Sequence, residues 1–284
     1  MRRSYLCGHD RSTGKNYNHR KAWFKERLYH LAKYFPVAVD AFSILDNHFH
    51  LVVYYDPKEC QRWSDEELVF RWTEVFPSPT KTKDAEDIEA LKIKRRAELL
   101  TQPERLQKIR KTLGSLSSFM KHLKQPIAWR ANREDDCSGH FFEGRFYSGA
   151  LLSEEAVLAA MAYVDLNQVR AKIARNIQQC CDSSIFERLQ VSASTPERLE
   201  QSLQPLVSGI IDTSRQISMN LKDYIEHLNL LVGQREEPSD DVQAIWYKRV
   251  ASIRKRQRAY GTLNELKGWL TQRGWQRVGD TLPG

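Results

Sequence analysis

The alternation of apolar and polar residues predicts a helix followed by a β-hairpin in the first 55 residues. Asn18 is a candidate N-cap, and the helix that it opens ends before Pro36. Residues 37–55 are rich in β-forming residues on both sides of Asp46-Asn47, a pair typical of turns. A further short strand is predicted at 3–7. The apolar face of the helix consists of Phe24, Leu28, Leu31 and Phe35.

The pattern after the hairpin is mostly helical. Ser64 opens a helix that runs to about Phe76, and a charged, solvated helical insertion is expected at about 77–112. Residues 104–130 show a helical pattern again. A strand predicted at 141–152 completes a split βαβ arrangement of the ferredoxin type. The sequence therefore predicts an α+β fold with an antiparallel sheet.

Two histidines stand in the second strand of the predicted hairpin. Because successive side chains of a strand point to opposite faces, His48 and His50 share one face, about 7 Å apart along the backbone. Two imidazoles in this arrangement can bind one divalent cation. The alternative is that each histidine is half-buried and only forms hydrogen bonds. The opposite, apolar face would consist of Phe49, Leu51 and Val53.

Residues 153–173 predict a helix that carries a second set of functional groups. Ser153 is a candidate N-cap, and two glutamates follow in the first turn, where the helix dipole favours anions. Tyr163, Asn167 and Arg170 follow one another at i, i+4 and i+7, so they share a stripe. That stripe offers a phenol, an amide oxygen and a guanidinium. The alternative is a half-exposed interface helix whose tyrosine packs at a rim. The buried stripe would consist of Val157, Ala160, Met161 and Val164.

The predicted strand at 141–152 presents a polar face. Glu143, Arg145 and Tyr147 alternate with Phe142, Gly144 and Phe146. The planar fork of Arg145 matches phosphate oxygens, although an ion pair with Glu143 would explain it equally well. Tyr147 is the main competitor of Tyr163 as a nucleophile.

Taken in this order, the motifs resemble those of the single-tyrosine HUH transposases, most closely the REP-associated tyrosine transposase branch. HUH denotes two histidines that flank a hydrophobic residue. The resemblance covers roughly residues 3–175, and Gln168 and Cys7 depart from the family pattern. The segments that carry it are His48-Phe49-His50, Phe142-Glu143-Gly144-Arg145-Phe146 and Tyr163-Val164-Asp165-Leu166-Asn167, with weaker similarity at Leu221-Lys222-Asp223-Tyr224.

This resemblance implies an enzyme that cleaves and rejoins single-stranded DNA beside an imperfect palindrome that forms a hairpin. Tyr163 would be the nucleophile, giving a 5′-phosphotyrosine and a free 3′-hydroxyl. The cofactor would be Mg²⁺ or Mn²⁺, held by His48, His50 and Asn167. Helix context and the family pattern favour Tyr163 over Tyr147.

Charge is consistent with a nucleic-acid partner. The 284-residue chain has a net charge of +8, and residues 241–284 hold nine Lys or Arg against three acidic residues. Cations interleaved with aromatic residues suit phosphates and unpaired bases, but a solvated amphipathic helix explains them as well. We therefore expect a catalytic domain at 1–178 and a helical, basic extension at 179–284. Candidate DNA-binding residues are Lys121, Lys124, Arg145, Arg170, Arg254, Lys255 and Arg256.

Several classes of protein are less compatible with the sequence. It contains no apolar run long enough to span a bilayer and no apolar core of a signal peptide near Met1. Five cysteines without a CxxC pair favour a reducing cytoplasm. Two functional alternatives stay open: a DNA-hairpin-binding protein without turnover, and a metal-dependent nuclease that uses water. The chain could act as a monomer or as a homodimer.

Overall fold

The fold is α+β: the described part of the chain contains twelve α-helices and two small β-sheets. A computed structural model provides the coordinates. No helix within the described residues is both long and apolar enough to cross a membrane. The structure describes residues 6–10, 13–80, 82, 84–210, 217–234, 238, 241–255 and 257–274.

The elements follow one another with short connections. The strands are β1 (Val37–Ile44), β2 (Phe49–Tyr55), β3 (Ala150–Leu151), β4 (Val207–Ser208) and β5 (Ala259–Tyr260). The helices are α1 (His19–Tyr34), α2 (Glu59–Arg62), α3 (Asp65–Val75), α4 (Ala85–Leu100), α5 (Pro103–Leu113), α6 (Leu116–Glu134), α7 (Glu154–Asp165), α8 (Asn167–Arg170), α9 (Ser184–Ser194), α10 (Leu221–Leu231), α11 (Asp241–Ser252) and α12 (Leu263–Thr271).

The first sheet is the predicted hairpin with one added strand. Its order is β2-β1-β4, and β1 pairs antiparallel with β4, with Ala38 opposite Ser208. All eight residues of β1 are buried, as expected for a central strand covered on both faces. The hairpin is closed by a 2.9 Å hydrogen bond from the Leu45 N–H to the His48 carbonyl. This bond fixes the start of the strand that carries His50.

The chain forms two compact units, each assembled from separate segments. Unit 1 comprises Met1–Val39, Val53–Glu143 and Val207–Thr213. In it, α1 packs against α3 and α6, and the buried guanidinium of Arg20 pairs with Glu134 and Asp135 at 2.8 and 2.5 Å.

Unit 2 comprises Asp40–Val52, Gly144–Leu206 and Ser214–Gly284. Its core is built around α7, where four alanines let neighbouring helices approach closely, and α11 packs along it. Tyr224 and Leu228 of α10 and Trp246 of α11 complete this core. The predicted domain boundary near residue 178 stays a prediction.

A short parallel pair, β3 with β5, places Ala150 opposite Ala259 in unit 2. Gly149 precedes it, and a Cβ at that position would lie 2.5 Å from the ring of Tyr260. Only glycine therefore fits there without moving the ring.

The predictions of the hairpin and of the helices α1 and α3 are confirmed, whereas other local predictions fail in part. The pattern at 104–130 is divided between α5 and α6 because Gly114 and Ser115 separate them, and Ser115 caps α6. The strand predicted at 141–152 is wrong except for β3, since residues 141–149 have no strand partner. Residues 6 and 7 of the predicted first strand form bends, and residues 3–5 lie outside the described part. The α+β class is confirmed, whereas the ferredoxin-like arrangement stays a prediction.

Candidate active site

The hairpin brings the two histidine rings together. His48 ends the turn and His50 is the second residue of β2, and their ring centroids are 4.9 Å apart with the planes at 88°. The predicted pair on one strand face is therefore confirmed. The residues expected on the opposite, apolar face, Phe49, Leu51 and Val53, are half-buried.

The most buried residue of β2 is Val52, which shares the face of the two histidines. Val52 belongs to the same apolar cluster as the residues of α7. The histidine face is thus the one that α7 covers, which explains how a strand and a distant helix contribute to one site.

Asn47 fixes the orientation of the first imidazole. Its side-chain oxygen lies 2.5 Å from Nδ1 of His48. Since an amide oxygen only accepts, Nδ1 carries the proton and donates, which leaves Nε2 with a lone pair. Although His48 keeps solvent access, partial desolvation lowers its pKa from 6.5. The neutral ring, the form that binds metals, is therefore favoured at neutral pH.

The predicted nucleophile lies against the second imidazole. The Tyr163 ring is 5.6 Å from the His50 ring, centroid to centroid, with the planes at 88°. Tyr163 is half-buried in the last turn of α7, whose N-terminus is capped by Ser153 through a 3.3 Å bond from the Ala156 N–H. Residues more than a hundred positions apart in sequence thus meet in unit 2.

The helix that carries Tyr163 ends earlier than predicted. α7 stops at Asp165, and the short α8 begins at Asn167. Tyr163 and Asn167 therefore lie on two consecutive helical segments, and the prediction of one continuous helix over 153–173 is wrong. Asn167 is buried, with 9% of its surface exposed, in the same unit as the histidines.

Arg170 contacts the candidate nucleophile, Tyr163, at two points. Its guanidinium carbon lies 4.1 Å from the centre of the Tyr163 ring, and its guanidinium donates a hydrogen bond to the Tyr163 carbonyl. Partial desolvation of the guanidinium, together with the charge of Arg254, lowers the pKa of Arg170 to about 10. Arg170 therefore remains a cation at neutral pH beside the Tyr163 ring.

The donors present suit a divalent cation that accepts imidazole. Among the residues that the structure describes, no group of three or more His, Cys, Asp or Glu side chains could hold a metal ion. The predicted metal ligands would not form such a group, because they are two imidazoles and the amide oxygen of Asn167. The adjacent rings of His48 and His50, with the lone pair of the first ring on Nε2, fit such a cation. Nitrogen donors favour Mn²⁺ over Mg²⁺ and would also accept Zn²⁺ or Ni²⁺.

The competing tyrosine has a structural role. The hydroxyl of Tyr147 donates to the Gln257 carbonyl and lies 3.3 Å from the hydroxyl of Tyr260. It is Tyr163 whose ring contacts His50. Of the two candidate tyrosines, it is therefore Tyr163 that lies beside the histidine pair.

The predicted DNA-binding residues are distributed over both units. Arg145, Arg254 and Lys255 are exposed in unit 2, and Arg145 lies in an irregular segment rather than in the predicted strand. Lys121 and Lys124 lie on α6 in unit 1, where the Lys124 ammonium is 4.7 Å from the centre of the Phe142 ring and burial lowers its pKa. Arg256 lies outside the described residues.

Sequence reasoning missed the partners that hold these groups. Asn47 was assigned only to a turn, although its position next to His48 could have suggested a hydrogen bond. Asp165 is fully buried and accepts hydrogen bonds from Ser184, Ile185 and Tyr224. The available signal in the sequence was a single acidic residue, Asp165, among apolar residues at the end of a helix, since a buried carboxylate needs hydrogen-bond partners.

Comparisons with known proteins add no further constraint. No family model, no curated protein and no solved structure matches this chain.

Proposed function

We propose that this protein is a single-tyrosine DNA strand transferase of the HUH type, of the REP-associated tyrosine transposase branch, with a ferredoxin-like catalytic core. The observation that carries the proposal is the contact between the His50 and Tyr163 rings. It joins a candidate metal-binding pair to a candidate nucleophile. A histidine pair or a tyrosine alone would not favour this chemistry.

The reaction would begin with attack of the Tyr163 hydroxyl oxygen on a phosphorus of single-stranded DNA. A bond forms between that oxygen and phosphorus, and the bond from phosphorus to the 3′ oxygen breaks. The phenolic proton is released, and the departing 3′ oxygen takes up a proton. The products are a 5′-phosphotyrosine and a 3′-hydroxyl. Attack by another 3′-hydroxyl on the adduct reverses the step and joins two strands without ATP.

The cation would be held by His48, His50 and Asn167. When bound, Mg²⁺ or Mn²⁺ would act as a Lewis acid on a non-bridging phosphate oxygen. Asn47 keeps the His48 ring in the tautomer that presents Nε2. At least one of the three donors, His48, is thus oriented by the chain itself before DNA arrives.

Arg170 would stabilise and orient the Tyr163 side chain directly. Its positive charge lies against the ring on which negative charge develops as the hydroxyl loses its proton. The same guanidinium holds the backbone of Tyr163 through the carbonyl. Both contacts would keep the tyrosine oriented toward a bound phosphate.

Single-stranded DNA beside a hairpin is the substrate that we propose. A flexible strand can enter between a strand face and a helix more easily than a duplex, and the exposed cations Arg145, Arg254 and Lys255 would attract its phosphates. The five cysteines form no disulfide in the described part of the chain, which contains all of them. This is consistent with our proposal of a cytoplasmic location.

A covalent-adduct assay tests the proposal. The protein is incubated with a labelled single-stranded hairpin oligonucleotide and Mn²⁺, and protein-linked DNA is sought on a denaturing gel. We expect an adduct that disappears in Tyr163→Phe and is strongly reduced in His48→Ala. Tyr147→Phe is the matched control and should retain the adduct.

The other outcomes separate the alternatives. Cleavage without an adduct, unaffected by Tyr163→Phe, would identify a nuclease that uses water. Binding of the hairpin without cleavage in Mn²⁺ or Mg²⁺ would identify a binding protein. Either result would overturn strand transfer by Tyr163.

A further inference from the structure

An open groove runs between α1 and α6 in unit 1. The lining residues of α1 recur at i, i+3, i+4 and i+7, so they form one stripe that faces α6. From α6, residues at i, i+1 and i+4 complete the groove. Its lining consists of Trp23, Glu26, Arg27, His30, Pro126, Ile127 and Arg130.

These two helices are strongly basic. Together they contain nine Lys or Arg and two Glu, in a protein whose net charge is +8. One of the two, Glu134, pairs with the buried Arg20. The other, Glu26, is the single carboxylate that lines the groove. The groove is therefore electropositive and suits a polyanion.

Arg130 forms a flat, charged platform at this groove. Its guanidinium carbon lies 3.7 Å from the centre of the Trp23 ring, and the residue remains exposed to solvent. The His19 ring forms a T-shaped contact with Trp23, at 4.9 Å between ring centroids. A guanidinium stacked on a ring in this way has its outer plane available to a planar ligand, such as a nucleobase.

The neighbouring residue adds an aromatic surface. Trp129 is 64% exposed, the largest exposed fraction among the large apolar side chains in the described part of the chain. Trp129 is not among the residues that line the groove, but it adjoins Arg130, which is. Trp129 and Arg130 thus offer two stacking surfaces on consecutive positions of α6.

The proline of α6 provides a hydrogen-bond acceptor that holds Arg27 in the groove. Pro126 has no N–H, so the carbonyl of His122, four residues earlier, loses its helical donor. The Nε of Arg27 donates to that carbonyl at 3.1 Å. This bond positions a guanidinium along the groove with hydrogen-bonding capacity to spare for a phosphate.

We propose that the groove between α1 and α6 binds single-stranded DNA, with an unpaired base stacked on Arg130 and the backbone phosphates near Arg27. The proposal deepens the function proposed above and rests on its DNA substrate. The groove belongs to unit 1 and the candidate active site to unit 2. It would hold the strand without taking part in the chemistry.

Fluorescence anisotropy with a labelled oligothymidylate tests this subsite. We expect Arg130→Ala to weaken binding about tenfold, and Trp129→Ala to weaken it to a similar extent, as loss of a stacked base does. Arg130→Lys should bind almost as weakly as Arg130→Ala, because a lysine keeps the charge and loses the plane. Trp23→Phe, which keeps a supporting ring, should stay within about threefold of the wild type.

The matched controls are Arg105→Ala and Arg105→Lys, at an exposed position on α5 outside the groove. Each should change the affinity for the oligonucleotide by no more than about twofold, because this side chain contributes at most the attraction to one phosphate. Binding by Arg130→Lys equal to that of the wild type would overturn the stacking platform. Equal losses in Arg130→Ala and Arg105→Ala would overturn the groove as a binding surface.

The adduct assay on the same variants keeps the two proposals apart. If the wild type forms the Tyr163 adduct while the Arg130 variants bind like the Arg105 controls, the groove proposal fails and strand transfer stands. If no adduct forms with any metal but Arg130→Ala still weakens binding about tenfold, strand transfer fails and the groove stands.

Discussion

The hydroxyl of Tyr224 donates a 2.7 Å hydrogen bond to the carboxylate of Asp165, two residues after Tyr163. Both side chains are fully buried. The Ser184 hydroxyl and the Ile185 N–H donate to the other carboxylate oxygen. These bonds attach α10 and the start of α9 to the end of the helix that carries the proposed nucleophile.

Removing the Tyr224 hydroxyl should destabilise the protein. Tyr224→Phe leaves the buried carboxylate with one donor fewer, and we expect a loss of about 1–3 kcal/mol in the free energy of unfolding. Urea unfolding followed by circular dichroism measures it. The control is Tyr247→Phe on α11, for which we expect a change below about 0.5 kcal/mol. Equal losses in the two variants would contradict the role of the bond.

The buried carboxylate should make stability depend on pH. Burial raises the pKa of Asp165, so the folded protein holds this proton more tightly than the unfolded chain. Its contribution to stability is complete below the ordinary pKa of Asp, about 4, and is lost as the pH rises through the raised value. Compared with Asp165→Asn, the wild type should therefore lose unfolding free energy as the pH rises above about 4. Parallel pH profiles of the two proteins in urea unfolding would contradict this.

Asn47 should support metal binding without being a ligand. Asn47→Ala removes the acceptor that orients His48, and loss of such an outer partner typically weakens metal affinity about tenfold. Calorimetric titration with Mn²⁺ measures the effect. Asn18→Ala, in which an exposed asparagine without a side-chain capping bond is changed, is the control and should bind Mn²⁺ like the wild type. Unchanged affinity in Asn47→Ala would remove Asn47 from the site.

Arg170 should affect the rate of strand cleavage more than DNA affinity. Arg170→Lys keeps a positive charge but loses the fork that contacts both the ring and the carbonyl of Tyr163. We expect adduct formation at saturating DNA to slow about tenfold, with little change in the DNA concentration at half-maximal rate. The control Arg175→Lys changes an exposed arginine in the loop after α8. A change confined to DNA affinity would indicate that Arg170 only attracts phosphate.

Arg27 and Pro126 should be coupled in stability. Arg27→Met leaves the His122 carbonyl without its donor and should cost about 1 kcal/mol. In a Pro126→Ala background the new N–H can donate to that carbonyl, so the same change should cost less. Urea unfolding of the four proteins gives the coupling energy, on the order of 0.5–1 kcal/mol. Additive effects would show that Arg27 does not replace the missing helical donor.

Elements specified by short-range patterns were predictable. Ser64 accepts a hydrogen bond from the Glu67 N–H and opens α3, and Ser153 does the same for α7. The turn at Asp46-Asn47 sets the hairpin, and the alternation after it puts both histidines on one face. In each case the determining atoms lie within a few residues of one another.

Features that depend on distant partners were not predictable from the pattern. Alternation at Glu143, Arg145 and Tyr147 resembles a strand, but no neighbouring strand pairs with residues 141–149 of the described chain. Val52 is the buried residue of β2 because α7 covers its face, and nothing within the strand reveals that. The network of Asp165 joins residues 19 and 59 positions later.

Unit 2 consists of three separate segments of the chain, and this affects when it can fold during synthesis. Its first segment, Asp40–Val52, is synthesised early, α7 follows a hundred residues later, and Tyr224 and Trp246 of the same core are added later still. A nascent chain would therefore hold the two histidines and Tyr163 in an incomplete core until α10 and α11 have been synthesised. If the proposed strand transfer is correct, a nascent chain that stops before α11 would not cleave DNA.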